Sequence, residues 1–248
     1  MGTSESRYPF CAVVVLAGGL GTRLRSVTGD TPKPLVKILG RPFLDYLLDH
    51  LRQMGFSNFF VTASYRSDLL RIAVKQYSEK LDISIDVIDE KVAAGTYGAV
   101  SQAEQVIPGE FHTFLVINGD SLVDADYGQV VQALAGRDGV IGGVEVADCG
   151  RFGQIEADSD GRVCRFAEKV GGGAGTINAG IYALRRSAIR GVELDTPASM
   201  EMDFLPKAVG MLNIGLHSLG QASFIDIGTP ESFAAAREFP LIKRLQAL

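Results

Sequence analysis

In the first half of the chain, short runs of apolar, β-branched residues alternate with stretches of helical period, and this constrains the fold more than any other feature. AVVVLA (12–17), NFFVTA (58–63), ISIDVID (83–89) and FHTFLVIN (111–118) read as strands. FLDYLLDHLRQMG (43–55), SDLLRIAVKQYS (67–78) and YGAVSQAEQVI (97–107) read as the helices between them. Strands that are apolar on both faces need cover on both, so this β-α-β-α order predicts a parallel or mostly parallel sheet between helical layers. Pro42 opens the first of these helices, Gly55 ends it and Ser67 caps the next. The second half changes character. FGQIEADSDGRVCRFAEK (152–169) reads as two strands around a turn at Asp158–Gly161, and INAGIYALRR (177–186) as another, which predicts an antiparallel excursion. SMEMDFLPKAVGM (199–211) reads as a helix interrupted at Pro206, ASFIDIG (222–228) as a last strand and PESFAAAREF (230–239) as a last helix.

There is no internal repeat and no linker; GGGAG (171–175) reads as a flexible connector, and a single domain over residues 1–248 is expected. A net charge of -5 gives no general attraction to nucleic acid or an anionic membrane, so any phosphate site is local. Cys11, Cys149 and Cys164 form no CxxC pair, which argues against a disulfide framework or a zinc cluster. CAVVVLAGG is too short to span a bilayer and has no basic leader or cleavage site, so a cytoplasmic protein without a membrane partner is expected.

LAGGLGTRLRSVTGDTPKPL (16–35) follows the first strand, and ligands of α/β sheets bind outside the carboxyl ends of the strands. Gly18, Gly19 and Gly21 let main-chain N–H groups approach an anion there, while Thr22 and Arg23 add a hydroxyl and a fixed cation suited to phosphate. Lys33 stands between Pro32 and Pro34, which stiffen its backbone and deny it a helix. The segment contains no G-x-x-x-x-G-K-[ST], and a G-x-G-x-x-G reading fails because Leu24 occupies its third glycine position. Asp120 in VINGDSLVDAD and Asp226 in FIDIGTP stand at strand ends, where two carboxylates beside a polyphosphate suit Mg²⁺. In FAEKV, Lys169 suits a second phosphate and Glu168 a sugar hydroxyl. His50, His112 and His217 have no metal-like spacing, and no nucleophile-base set stands out.

Taken together, GGLGTRL, PKPL, ILGRP, AGTYGAV, NGDSL, RFGQIEADSDGRVCRFAEK, NAGIY and DIGTPESF resemble, in the same order, the motifs of the sugar-1-phosphate nucleotidylyltransferases. The resemblance runs from about residue 11 to about 238. It implies an α/β, Rossmann-like nucleotidyltransferase fold, with a mixed, mostly parallel central sheet and an antiparallel sugar-side excursion. No C-terminal β-helix of the kind some relatives carry is expected. It also implies that Gly18, Gly19, Gly21, Thr22, Arg23 and Lys33 hold the triphosphate, with Leu16, Ala17, Thr96 and Asn118 completing the nucleotide side. Asp120 and Asp226 would hold Mg²⁺. Glu90 and Gly95 lie where the family contacts the base, and Gly153, Glu168, Lys169 and Asn178 where it holds the sugar phosphate. Tyr97 replaces a small residue of the family beside the nucleotide, a departure that bears on base preference. LAGGLGTRLRSV, GRPFLDYLLDHL and VTASYRSD resemble the branch that joins GTP to D-glycero-α-D-manno-heptose 1-phosphate in NDP-sugar and polysaccharide biosynthesis. Glucose, mannose or N-acetylmuramic acid 1-phosphate with UTP, dTTP, CTP or GTP are the alternatives, and a homo-oligomer is compatible with all of them.

The residues suit that chemistry. A sugar 1-phosphate is largely dianionic at neutral pH and attacks the α-phosphorus without a general base, so the protein need only position and neutralise. Arg23, Lys33, Asp120, Lys169 and Asp226 are the candidate catalytic residues. Two other classes are weighed against this one: a glycosyltransferase, prompted by the D-x-D of Asp124–Asp126, and a non-catalytic sugar-nucleotide sensor.

Overall fold

The computed structural model describes residues 6–19, 23–64, 66–81, 83–90, 93–150, 152–168 and 172–247; of Arg25, Ser26, Ala167 and Glu168 it describes the backbone alone. Gly21, Thr22 and Lys169 of the predicted site therefore lie outside the described residues.

The chain begins with β1 (Cys11–Leu16), the short helix α1 (Arg25–Thr28) and a small hairpin of β2 (Lys37–Ile38) and β3 (Arg41–Pro42). Then follow α2 (Phe43–Gln53), β4 (Phe59–Ala63), α3 (Ser67–Leu81), β5 (Ile85–Asp89), α4 (Gly95–Val106) and β6 (Thr113–Asn118). Next come β7 (Ser121–Val123), α5 (Gly128–Gln132), β8 (Gly139–Val146), β9 (Gly153–Ala157), β10 (Val163–Glu168) and β11 (Gly175–Arg185). The chain ends with α6 (Arg186–Gly191), α7 (Leu205–Met211), β12 (Ile214–Ser218), β13 (Phe224–Asp226), α8 (Pro230–Ala235) and α9 (Pro240–Gln246).

As the alternation predicts, β5, β4, β1 and β6 are parallel neighbours, with β1 between β4 and β6. β11 then runs antiparallel to β6 along one edge and to β8 along the other, and β12 lies parallel to β8. Burial explains why β1 is apolar without interruption. Val13 and Val15 face a core built with α2, α3, α5 and α9, whereas Ala12 and Val14 face a second core built with α4, α6 and α7. The β9–β10 hairpin bonds to β11 at Ile177, past the carboxyl end of β6, so it overhangs the strand ends that ligands use. Gly173, in the GGGAG connector, is tied to the turn before β9: its carbonyl accepts from Cys149 N–H at 2.9 Å.

Two local expectations change. Lys33 is in a helix after all: Lys33–Leu35 forms one 3-10 turn, with Leu35 N–H donating to Pro32 at 2.8 Å. Proline's fixed φ suits such a turn, and the N–H that Pro34 lacks has no helical partner to lose there. The interruption at Pro206 is real but begins earlier, as a π-helical turn over Met200–Phe204 that Ser199 caps through the N–H groups of Glu201 and Met202. Such π-turns recur at functional sites. Gly55 stops α2 as expected, in a left-handed conformation with φ of 92°.

Candidate active site

The carboxyl ends of β4, β1 and β6 present a row of register partners, Thr62, Leu16 and Asn118. A cavity of about 310 Å³ lies over this row and is closed by Gly18, Gly19, Lys33 and the start of α4. Of the predicted nucleotide side, Leu16, Ala17, Gly18, Gly19, Lys33, Glu90, Gly95, Thr96, Asn118 and Asp120 all line it. Arg23 is described and does not; it is exposed at the entry to α1.

Glu90 forms one end of the cavity. Its N–H continues the sheet by donating to Ala63 at 2.8 Å, and its carboxylate turns back over Gly18, where any Cβ would overlap Oε1. A side chain at Gly18 would therefore have to push the end of the Glu90 side chain aside. Burial holds the Glu90 carboxyl above its ordinary pKa, partly offset by a hydrogen bond from Ala94 N–H at the start of α4. Gly95 opens α4 at φ of 76°, and a Cβ there would run into the Ala198 carbonyl, so glycine alone fits. The same carbonyl accepts from Tyr97 N–H at 2.9 Å, which seats the Ala198–Phe204 segment on the first turn of the helix.

The structure overturns the placement of Tyr97 beside the nucleotide. Its ring turns away from the cavity and stacks on Phe204 at 4.4 Å, and its hydroxyl reaches the carbonyls of Ile189 and Val192 at 2.7 Å each. The residue is a core tyrosine that ties α4 to α6. Thr96 and Ala99 take the cavity-facing positions in its place.

At the opposite end, the Lys33 ammonium pairs with the Asp120 carboxylate. Asp226 comes to the same corner from more than 100 residues away because β13 pairs with β7, with Asp226 opposite Ser121 and Ile227 N–H donating to Asp120 at 2.9 Å. Asp226 Oδ1 accepts from Gly228 N–H at 2.5 Å, and a Cβ on Gly228 would stand 3.2 Å from Lys33 Nζ. The corner thus gathers two carboxylates and one ammonium. Among the described residues no third acidic, imidazole or thiol side chain joins them to make a closed metal site. That donor set fits Mg²⁺, which takes one or two carboxylates and draws its other ligands from phosphate and water.

Of the residues expected to hold the sugar phosphate, Gly153, Glu168 and Asn178 lie on β9, β10 and β11. Gly153 pairs with Glu168 across β9 and β10, and the Gln154–Ile177 pair puts Asn178 alongside Gly153. Asn178 Nδ2 donates to the Tyr182 hydroxyl at 2.7 Å, which donates to Glu201 Oε1 at 3.1 Å; Glu201 Oε2 takes Ser199 Oγ at 3.0 Å and Thr96 Oγ1 at 3.4 Å. This relay joins Thr96, in the cavity wall, to Asn178 on β11. Sequence reasoning missed Glu201 and Tyr182, together with Thr62 and Ser64 in the cavity wall, and no local motif marks them.

The D-x-D of Asp124–Asp126 is structural. Asp124 is bidentate with Arg244 at 2.8 and 3.2 Å, and Asp126 accepts from Gly128 N–H at 2.8 Å at the start of α5. Neither lines the cavity, which removes the observation that favoured a glycosyltransferase. No helix among the described residues is long and apolar enough to cross a membrane.

The nucleotidyl transferase family model matches residues 12–241. The chain is 31% identical over 226 residues to a mannose-1-phosphate guanyltransferase of Aspergillus fumigatus, covering 89% of this chain and 61% of that protein. It therefore spans about three fifths of the length of that relative. It is also 31% identical over 220 residues to the D-glycero-alpha-D-manno-heptose 1-phosphate guanylyltransferase of Campylobacter jejuni, covering 89% of this chain and 96% of that one. The crystal structure of HddC from Yersinia pseudotuberculosis complexed with GMP-PN superposes with a TM-score of 0.80 at 39% identity, over 92% of this chain and 98% of that one. Enzymes of this family generally use a divalent metal. With its motifs, its sheet order and its strand-end cavity in agreement, the chain belongs to the nucleotidyl transferase family.

Proposed function

We propose that this protein transfers a guanylyl group from GTP to a sugar 1-phosphate, the sugar being D-glycero-α-D-manno-heptose, with release of pyrophosphate. Residues 12–241 act as one catalytic domain in this reading. The observation that carries it is the polarity of the cavity: a half-buried carboxylate, Glu90, at one end and the Lys33–Asp120–Asp226 corner at the other. Guanine presents two adjacent donors, N1–H and N2–H, and an ionised carboxylate is an acceptor-only partner for both. Adenine has no donor at N1, so the same carboxylate discriminates against it. The coverage of 96% of a heptose 1-phosphate enzyme and the likeness to a structure complexed with GMP-PN favour this nucleotide and this sugar.

In the mechanism, Leu16 and Gly95 bracket the nucleoside while Gly18, Gly19, Gly21, Thr22 and Arg23 receive the triphosphate. Lys33 holds Asp120 and neutralises the acidic corner until phosphate oxygens arrive beside its ammonium. Asp120 and Asp226 would hold Mg²⁺, which would supply charge neutralisation on the phosphates. Lys169 and Asn178, with Gly153 and Glu168, orient the sugar 1-phosphate so that one of its oxygens attacks the α-phosphorus in line and the bond to pyrophosphate breaks. No side chain accepts a proton in this step. The three cysteines are unpaired, which suits a reducing cytoplasm.

The test is a sugar panel at fixed GTP and Mg²⁺, reading pyrophosphate. Release with D-glycero-α-D-manno-heptose 1-phosphate well above that with mannose or glucose 1-phosphate supports the assignment. Preference for mannose 1-phosphate keeps the guanylyl transfer and replaces the sugar, and release with none of them overturns both.

A further inference from the structure

Thr62 is fully buried in β4, lines the nucleotide cavity, and has a hydroxyl with no hydrogen-bond partner among the described residues. Its neighbours on that face are apolar: Leu16 beside it, Phe60 two residues back, and Ile88 opposite it on β5. Valine has the same shape and would leave no polar atom stranded, so packing alone does not call for threonine here. Thr62 belongs to the lining of the cavity but has no surface open to water, so a base reaches its hydroxyl only where neighbouring side chains of the lining give way.

Its place along the row says which part of a nucleotide it meets. The order of strand ends is β5, β4, β1, β6. Asp120, paired with Lys33, follows β6, while Glu90 follows β5 on the face that carries Ile88 and Thr62. A nucleotide with its phosphates at the Asp120 corner therefore sets its base over β4 and β5, between Glu90 and Thr62. The second orphaned acceptor of the row, Asn118 Oδ1, lies on the phosphate side of Leu16 and is not a candidate for the base.

We propose that the Thr62 hydroxyl is a specificity-determining group that donates a hydrogen bond to an acceptor of the guanine ring, O6 or N7, while Glu90 takes the two ring donors. This rests on the guanylyl reading above. The division of labour follows from chemistry: an ionised carboxylate cannot donate, so the acceptor edge of guanine needs a separate donor, and a hydroxyl rotates to supply one.

The experiment compares Thr62→Val, which keeps the shape, with Thr62→Ser, which keeps the hydroxyl, by steady-state kinetics with GTP and the sugar 1-phosphate the enzyme uses. Val is expected to raise KM for GTP roughly ten-fold, the worth of one neutral hydrogen bond, with kcat and the sugar KM unchanged; Ser stays within about two-fold of wild type. 6-Thio-GTP weakens the acceptor at position 6 and 7-deaza-GTP removes N7. One of them should be penalised in the wild type and carry no added penalty in the valine variant, which names the acceptor. A serine variant worse than the valine variant would show that the methyl group matters and the hydroxyl does not, overturning the proposal. So would a valine variant that matches wild type on GTP. A wild-type enzyme that ignores GTP overturns the guanylyl reading and the Thr62 assignment with it, whereas one that uses GTP equally well with valine at 62 overturns Thr62 alone.

Discussion

Replacing Glu90 by glutamine isolates the charge proposed to read the base. The carboxylate lies on Gly18, accepts from Ala94 N–H and is half-buried, and Glu90→Gln keeps its volume while removing its ionisation. Hydrogen bonds to an ionised group contribute about 1.5–3 kcal/mol each. Glutamine keeps one acceptor and turns its amide N–H groups toward a guanine donor, so one such bond is lost outright. A loss of about 2–3 kcal/mol corresponds to a fall in kcat/KM for GTP of roughly 30- to 150-fold. Pyrophosphate release at varied GTP measures it, and most of the change should fall in KM. The pH dependence gives a second reading. Burial raises the Glu90 pKa, so in the wild type KM for GTP should start to climb on acidification at a pH above the ordinary carboxylate range, as the acceptor becomes a donor. The variant should show no such climb. Stability has the opposite sign. A raised pKa in the fold favours the folded state below the ordinary carboxylate pKa, and that contribution is lost as pH rises through the raised value. At neutral pH the variant's Tm should therefore not fall. A variant with kcat/KM for GTP within about three-fold of wild type, and no gain toward ATP, would refute the assignment of Glu90 to the base.

Asp120→Ala removes the carboxylate that Lys33 holds and should cut kcat roughly 10²- to 10³-fold, with far-ultraviolet circular dichroism unchanged. Unaltered turnover would remove Asp120 from the metal set. Asp124→Asn breaks a partly exposed pair with Arg244, worth at most about 1 kcal/mol, and should lower Tm by no more than roughly 2–4 °C. Its turnover and metal dependence should match wild type; a lost metal response would restore the D-x-D reading. Tyr97→Phe strands the carbonyls of Ile189 and Val192 and should destabilise by about 1–3 kcal/mol in urea unfolding. Its order of preference among GTP, ATP, UTP, CTP and dTTP should not change, since the ring faces the core.

The parallel half of the sheet was legible because β1, β4 and β6 are covered on both faces and so carry unbroken apolar runs bounded by helix signals, while β5, at the edge, shows itself by its place between two helices. β8 was not: GVIGGVEV holds three glycines and is recognisable as a strand only from its pairing with β11 and β12. In the site, Gly18, Asp120 and Asn118 could be read because strand ends and glycine loops leave local marks. The convergence of Asp226 on Asp120 depends on a pairing of distant short strands that no window of sequence contains. Tyr97 was misplaced for a related reason: its neighbours in sequence line the cavity, but on a helix the next residue turns to another face, here toward Phe204. Thr62 looked like one more β-branched strand residue, and its orphaned hydroxyl is visible only once its surroundings are assembled.

The most direct measurement combines the protein with D-glycero-α-D-manno-heptose 1-phosphate, Mg²⁺ and each of GTP, ATP, UTP, CTP and dTTP in turn, following pyrophosphate and the mass of the sugar nucleotide. The account predicts equal amounts of pyrophosphate and GDP-heptose with GTP, no product when Mg²⁺ is chelated, and kcat/KM for GTP at least ten-fold above that for any other nucleotide. A preference for UTP or dTTP, or nucleotide binding without pyrophosphate release, would contradict it.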